Sequence, residues 1–234
     1  MMLNERLISN CENCKVVWKN FKNLSREELK LVNENRYEAT FKPGEIIIKQ
    51  GSPATSAVFL ASGIAKVYIE GLDRKNFILG IVMPSRLILG PGVHISTRHS
   101  YTVSALTRVQ ACFVSFTLIN QLINQNPKFA MGMLEDLSAI AYAVHNKLIS
   151  LTQKKMSGRI AEALLFFSDE VFKADEFEII LSRQEIGEMT NMAKESVVRI
   201  LKELEGYGVI RSGYSKIEIL DKEKLRLISE RGYS

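Results

Sequence analysis

Three hydrophobic periods in succession predict an α+β chain. Short strands separated by turn residues come first, then one long helix with a narrow apolar stripe, then a helical region that closes on a hairpin. The 234 residues suffice for two domains of ordinary size, each with its own core. The changes of period divide the chain into residues 1–126, a β-rich domain with an N-terminal helical segment; 127–153, a single helix; and 154–234, a helical domain ending in a hairpin.

The stretches FKPGEIIIKQGSP, SAVFLASGIAKVYIEG, KNFILGIVMP and SYTVSALTRVQACFVSF each supply four to eight residues rich in Val, Ile and Phe between Gly, Pro or Ser. A strand about every ten residues predicts an antiparallel sandwich, roll or barrel.

At INQNPKFAMGML the period changes, because Asn126 suits an N-cap and Pro127 the first helical position. Met133, Leu137, Ile140, Val144, Leu148 and Leu151 then recur at steps of three and four. Such a stripe either packs on its own domain or pairs with its own copy, and its regularity favours a parallel homodimer.

After Gln153-Lys154-Lys155, the run MSGRIAEALLFFSDEVF presents Ile160, Ala163, Leu164, Phe167 and Val171 on one helical face. In LSRQEIGEM, Ser182 and Glu185 form a capping box. Thr190-Asn191-Met192 then makes a short turn, with Asn191 tolerant of left-handed φ, before a second helix over TNMAKESVVRILKELEGYGVI. That helix buries Val197, Ile200, Leu201 and Leu204 and turns Glu195, Val198, Arg199 and Lys202 outward. Beyond Gly206 and Gly208, VIRSGYSKIEIL reads as two strands around Ser212-Gly213, so this region is expected to be a winged helix-turn-helix.

Composition excludes several classes. No apolar run approaches the roughly 18 residues that cross a bilayer; the best, Asn76 to Ser85, is broken by Arg86. MMLNERLISNCENC lacks the apolar stretch of a secretory signal, and three cysteines make no disulfide framework, so a cytoplasmic protein without a membrane partner is expected. H-E-x-x-H, G-x-S-x-G and the phosphate-loop pattern are absent, and the chain is not expected to be an enzyme. Net charge is +5, yet residues 155–234 hold 13 Lys+Arg against 15 Asp+Glu, so a DNA-binding surface must be a local basic stripe.

The order of these parts resembles the Crp/Fnr family of bacterial transcription regulators. LSRQEIGEMTNMAKESVVRILKELEGYGVI is similar to that family's helix-turn-helix signature, and SGRIAEALL to the helix after its interdomain hinge. The resemblance implies an effector-sensing, cyclic-nucleotide-type β-roll over 1–126, a dimerisation helix over 127–153 and a DNA-binding winged helix over 154–234. It implies a homodimer on an inverted repeat with TGTGA-like half-sites, with RNA polymerase as a further partner. Carried over by position, Lys194, Glu195, Ser196 and Arg199 would read bases, while Ser182, Arg183, Gln184 and Lys202 would contact phosphates. The chemistry agrees: Arg and Lys donate to guanine O6 and N7, and Glu accepts from cytosine N4. Taken alone, Glu195 and Arg199 would read as an exposed i,i+4 salt bridge. Ala193 departs from the capping Ser common in the family.

The signal is less legible. Where cyclic-AMP-binding members carry Gly-Glu-Leu-Gly and Arg-Ser, this chain has LGPG (89–92) and His99-Ser100. Gly90 and His99 thus remove the carboxylate for ribose and the guanidinium for phosphate, so cyclic AMP is not the expected effector. The candidate pocket residues are Gly90, Gly92, Arg98, His99, Ser100 and His145, with the small-molecule effector unidentified. Cys11, Cys14 and Cys112 resemble an incomplete iron–sulfur ligand set, since Asn20 lies where the close third cysteine would be. Heme ligation by His94, His99 or His145 has no supporting pattern. A cyclic-nucleotide-like module that binds protein instead of DNA is the competing reading.

Overall fold

The computed structural model describes residues 11, 14, 18–72, 75–88, 96–213 and 215–231. The chain divides into two compact units, residues 1–65 with 81–139 and residues 66–80 with 140–234.

In the first unit a 3-10 turn (Lys19–Asn23) leads into α1 (Arg26–Glu34), whose N-terminus is closed by a Ser25–Glu28 capping box. The strands of this unit are β1 (Arg36–Phe41), β2 (Ile46–Ile48), β3 (Ser56–Ser62), β6 (Leu87–Ile88), β7 (Thr102–Ala105) and β8 (Val109–Ser115), while β4 (Ala65–Glu70) and β5 (Asn76–Val82) fall mostly in the second unit. One antiparallel sheet has the order β1-β8-β3-β6. Its register sets Glu38 and Phe59 on either side of Cys112. In a second sheet β2 pairs antiparallel with β7. The β3–β4 turn requires Gly63, because its φ is +82° and a Cβ there would collide with the Arg108 carbonyl. Helix α2 (Phe116–Gln125) follows β8 directly, capped by Ser115.

The core of this unit is aromatic. Trp18, Phe21 and Phe59 lie with ring centroids 5.2–5.4 Å apart, and Phe129 meets Trp18 edge-on at 5.6 Å. Such pairs add about 0.5–1.5 kcal/mol each to the gain from burial. Phe129 belongs to α3 (Pro127–Gln153), which starts where Asn126 Oδ1 accepts from the Phe129 backbone N–H at 3.0 Å. Buried Asn20 donates to the Phe129 carbonyl at 2.9 Å, and a Cβ on Gly132 would collide with the Asn20 amide. Asn20 is therefore a packing residue that joins the N-terminal turn to the start of α3.

In the second unit, α4 (Met156–Phe166) runs into a π-helical turn (Phe167–Phe172) that ends at Lys173, φ 52°. The periodicity treated 156–172 as one helix. Strand β9 (Glu176–Glu178), α5 (Arg183–Thr190), α6 (Lys194–Gly206), β10 (Ile210–Ser212), β11 (Lys216–Ile219) and α7 (Lys222–Arg231) follow. The sheet order is β10-β11-β9, all antiparallel, so the helix pair carries its wing. Ile160, Leu164, Phe167, Ile186, Val197, Ile200 and Leu204 are fully buried, at about 1.5–3 kcal/mol each. Among the described residues no helix is long and apolar enough to cross a membrane.

Candidate nucleic-acid interface

Helix α5 is fixed at both ends. At its N-terminus Ser182 Oγ accepts from the Glu185 N–H at 3.2 Å, and Glu185 Oε2 accepts from the Ser182 N–H at 2.7 Å. The other carboxylate oxygen accepts from Lys66 Nζ at 2.5 Å. Burial alone would raise the Glu185 carboxyl, but the Lys66 and Ser182 hydrogen bonds together outweigh it and hold the group below the ordinary carboxylate range. At the C-terminus Lys147 Nζ donates to the Met189 carbonyl at 2.6 Å, and Arg159 Nη1 donates to those of Thr190 and Asn191 at 2.9 and 3.2 Å. Cations on the last carbonyls match the negative end of the helix dipole.

The turn into α6 follows from Asn191, in the left-handed region at φ 52°, ψ 60°. Gly187 makes it tight: the Met192 N–H bonds the Gly187 carbonyl at 3.0 Å, and a Cβ on Gly187 would stand 2.5 Å from the Met192 oxygen. Helix α6 starts at Lys194 behind Ala193, which makes no side-chain cap.

Because Val197, Ile200, Leu201 and Leu204 are buried, the opposite face of α6 is fixed in orientation. Lys194, Glu195, Arg199 and Lys202 are exposed on it, and Ser196 is half-buried. Arg199 Nη1 donates to Glu203 Oε1 at 2.5 Å, so the i,i+4 partner of Arg199 lies after it and not before it. Glu195 makes no hydrogen bond or ion pair among the described residues. Ser182 and Gln184 are exposed at the α5 N-terminus. Arg183 instead reaches the wing: Nη2 donates to Ser212 Oγ at 3.3 Å and to the Gly213 carbonyl at 3.1 Å. Its Nη1 is buried without a hydrogen-bond partner, and burial lowers the guanidinium pKa.

The expected effector residues are not all placed. Gly90, Gly92 and His94 lie outside the described residues. Arg98 Nη1 is committed to the Gly51 carbonyl at 2.6 Å. His99 exchanges backbone bonds with Gly51 and Ser52, its imidazole pKa is lowered by burial, and it borders a cavity of about 320 Å³ with Tyr37, Ile46, Lys49 and Phe113. Ser100 is exposed in the first unit and His145 is exposed on α3 in the second.

The stripe along α3 separates into two. Met133 is buried in the core of its own domain and Leu137 packs on that core. This corrects the expectation that both lie on an outward seam. Ile140, Val144 and Leu148 are 37–55% exposed, while Leu151 is half-buried. A second stripe, Met131, Leu134, Tyr142, Leu148 and Ile149, of which the periodicity picked out Leu148 alone, is 49–69% exposed. Ser138, Ala141 and His145 complete its heptad spacing, and the mixture of small and polar residues hid it. Among the described residues, no group of three or more His, Cys, Asp or Glu is placed to hold a metal ion.

Two family models match this arrangement: a cyclic nucleotide-binding domain over residues 38–126 and a Crp-like helix-turn-helix domain over 158–228. The chain is 27% identical over 188 residues to the transcriptional activator protein anr of Pseudomonas aeruginosa, covering 79% of this chain and 77% of that protein. It is 29% identical over 168 residues to the cAMP-activated global transcriptional regulator CRP of Salmonella typhimurium, covering 70% and 80%. FixK2 from Bradyrhizobium japonicum shares the fold with a TM-score of 0.75 at 18% identity, over 82% of this chain and 96% of that one.

Proposed function

Because the chain belongs to the Crp/Fnr family of DNA-binding transcription regulators, we propose that it acts as a homodimer reading an inverted repeat in duplex DNA through α6. The observation that carries this reading is the exposed triad Lys194, Glu195 and Arg199 on the first turns of a helix whose other face is locked in a core. Glu195 accepts from cytosine N4 and Arg199 donates to the guanine of one G·C pair; Lys194 favours a guanine further upstream. Ser182, Gln184 and Lys202 contact phosphates, and the half-buried Arg183 guanidinium adds its charge beside them from its seat against the wing.

The second copy joins along the exposed stripe of α3, Met131, Leu134, Tyr142, Leu148 and Ile149, continuing into Ile140 and Val144 at its edge. Two-fold symmetry then sets recognition helices about 34 Å apart, one turn of duplex. The partners in this reading are duplex DNA, a second copy of the chain and RNA polymerase. Cyclic AMP is not the effector, since Gly90 and His99 stand where ribose and phosphate would be gripped. Selection from random duplexes by the full-length protein should enrich TGTGA-like half-sites in inverted repeat. Enriched sequences without two-fold symmetry would rule the reading out.

A further inference from the structure

The three cysteines have no task in DNA reading, yet the fold brings Cys11 and Cys112 to one guanidinium, that of Arg36. Cys112 lies in the inner strand β8, cross-strand from Glu38, and Arg36 Nη1 approaches its Sγ at 3.7 Å. Arg36 also bears electrostatically on the Cys11 thiol and forms an ion pair with Glu38. Asn33 Oδ1 accepts from both the Cys11 backbone N–H and Arg36 Nε, each at 3.2 Å. Cys11 is 9% exposed and sits in the aromatic cluster against which Cys112 packs. Cys14 is half-buried and close enough to bear electrostatically on both.

We propose that Cys11 and Cys112 form a reversible disulfide within the chain, and that the state of this pair is a signal the regulator responds to. The second half rests on the DNA-binding reading above; the first does not. A low-molecular-weight disulfide serves as oxidant. One protein thiolate attacks it, forms a mixed disulfide and releases one small thiol; the other protein sulfur then displaces the second. The protein loses two protons and two electrons, and the oxidant takes them up to become two thiols.

Cys112 is the fixed half of the pair, since β8 is hydrogen-bonded on both sides. Cys11 precedes the turn that docks on α3, where Trp18 Nε1 and Lys19 Nζ both reach Asp136, at 2.6 and 2.9 Å. A bridge to Cys112 therefore fastens the N-terminal turn, and with it the seat of α3, to the sheet. Burial pushes the Cys112 thiol up to about 11 and raises Cys11 as well, partly offset by Arg36. Both are protonated at neutral pH, so exchange runs through a small thiolate fraction and is slow.

The test uses the full-length protein, equilibrated with reduced or oxidised glutathione, then denatured in alkylating agent, digested and mapped by mass. A Cys11–Cys112 peptide in the oxidised sample alone supports the site; Cys14→Ser should retain it, and Cys11→Ser or Cys112→Ser should lose it. Three alkylated cysteines after oxidation, or a Cys11–Cys14 bridge, would overturn it, and mapping the unmutated chain avoids any folding defect in the variants. Duplex affinity should then differ several-fold between oxidised and reduced protein and become indifferent to glutathione in Cys112→Ser. A mapped bridge with unchanged affinity overturns the signalling half. Protein that retains no duplex in either state overturns the DNA reading instead, leaving the bridge in place.

Discussion

Arg199 and Arg183 carry the same charge in different surroundings. Arg199 is exposed and held by Glu203, an exposed pair that stabilises by only about 0.2–1 kcal/mol, so exchanging Glu203 for a guanine edge costs little. Arg199→Ala should lose about 1–3 kcal/mol of binding to the best site and relax preference at one G·C pair. Arg183 supports the wing through Ser212 and Gly213, so Arg183→Ala should weaken every sequence alike and lower the salt slope by about one. Affinities across a panel of single-base variants at several salt concentrations separate the two; an Arg199→Ala protein that still discriminates that pair would refute the assignment. Cyclic AMP should give no calorimetric signal at micromolar concentration, because Arg98 already donates to Gly51 and His99 is drawn toward its neutral form. Saturable low-micromolar binding would mean that some other group grips the phosphate.

Helix α5 shows how a single carboxylate serves two neighbours. The folded-state pKa of Glu185 is depressed, so its contribution to stability is present above the unfolded value near 4.3 and is lost as pH falls through the folded value. Thermal melts of Glu185→Gln should lie below the parent at neutral pH and converge on it in acid; a constant gap down to pH 3 would show that the charge is not responsible. This element was legible because capping chemistry is local: Ser182 with Glu185, Asn126 before Pro127 and Asn191 at the turn each declare themselves within four residues. Helix α3 was only half legible. Phe129, Met133 and Leu137 serve its own domain while Met131, Leu134 and Leu148 face outward, and a one-dimensional spacing shows the two stripes superimposed. Likewise α1, α2 and α7 are only nine or ten residues long, too short for a period to stand out in the sequence, and Arg36 meets Cys112 only because β1 pairs with β8.

For the whole molecule, the two faces of α3 predict different outcomes on substitution. Leu134→Asp with Leu148→Asp should give monomers in sedimentation and keep the fold, since both side chains are more than half exposed; charges placed in the seam cost on the order of several kcal/mol. Met133→Asp should instead unfold the first unit, where that side chain is 4% exposed. A dimer that survives the Leu pair would move the interface off this stripe. The pairing of β1 with β8 also has a consequence during synthesis. Roughly 70 residues separate the strands, so at about 5–20 residues per second a nascent β1 waits roughly 3–14 s for its partner to leave the ribosome. The helix-turn-helix closes over neighbours in sequence and has no such delay. The newborn chain is thus most exposed to aggregation while its N-terminal sheet lacks the inner strand β8, and a chaperone that binds extended apolar segments should act in that interval.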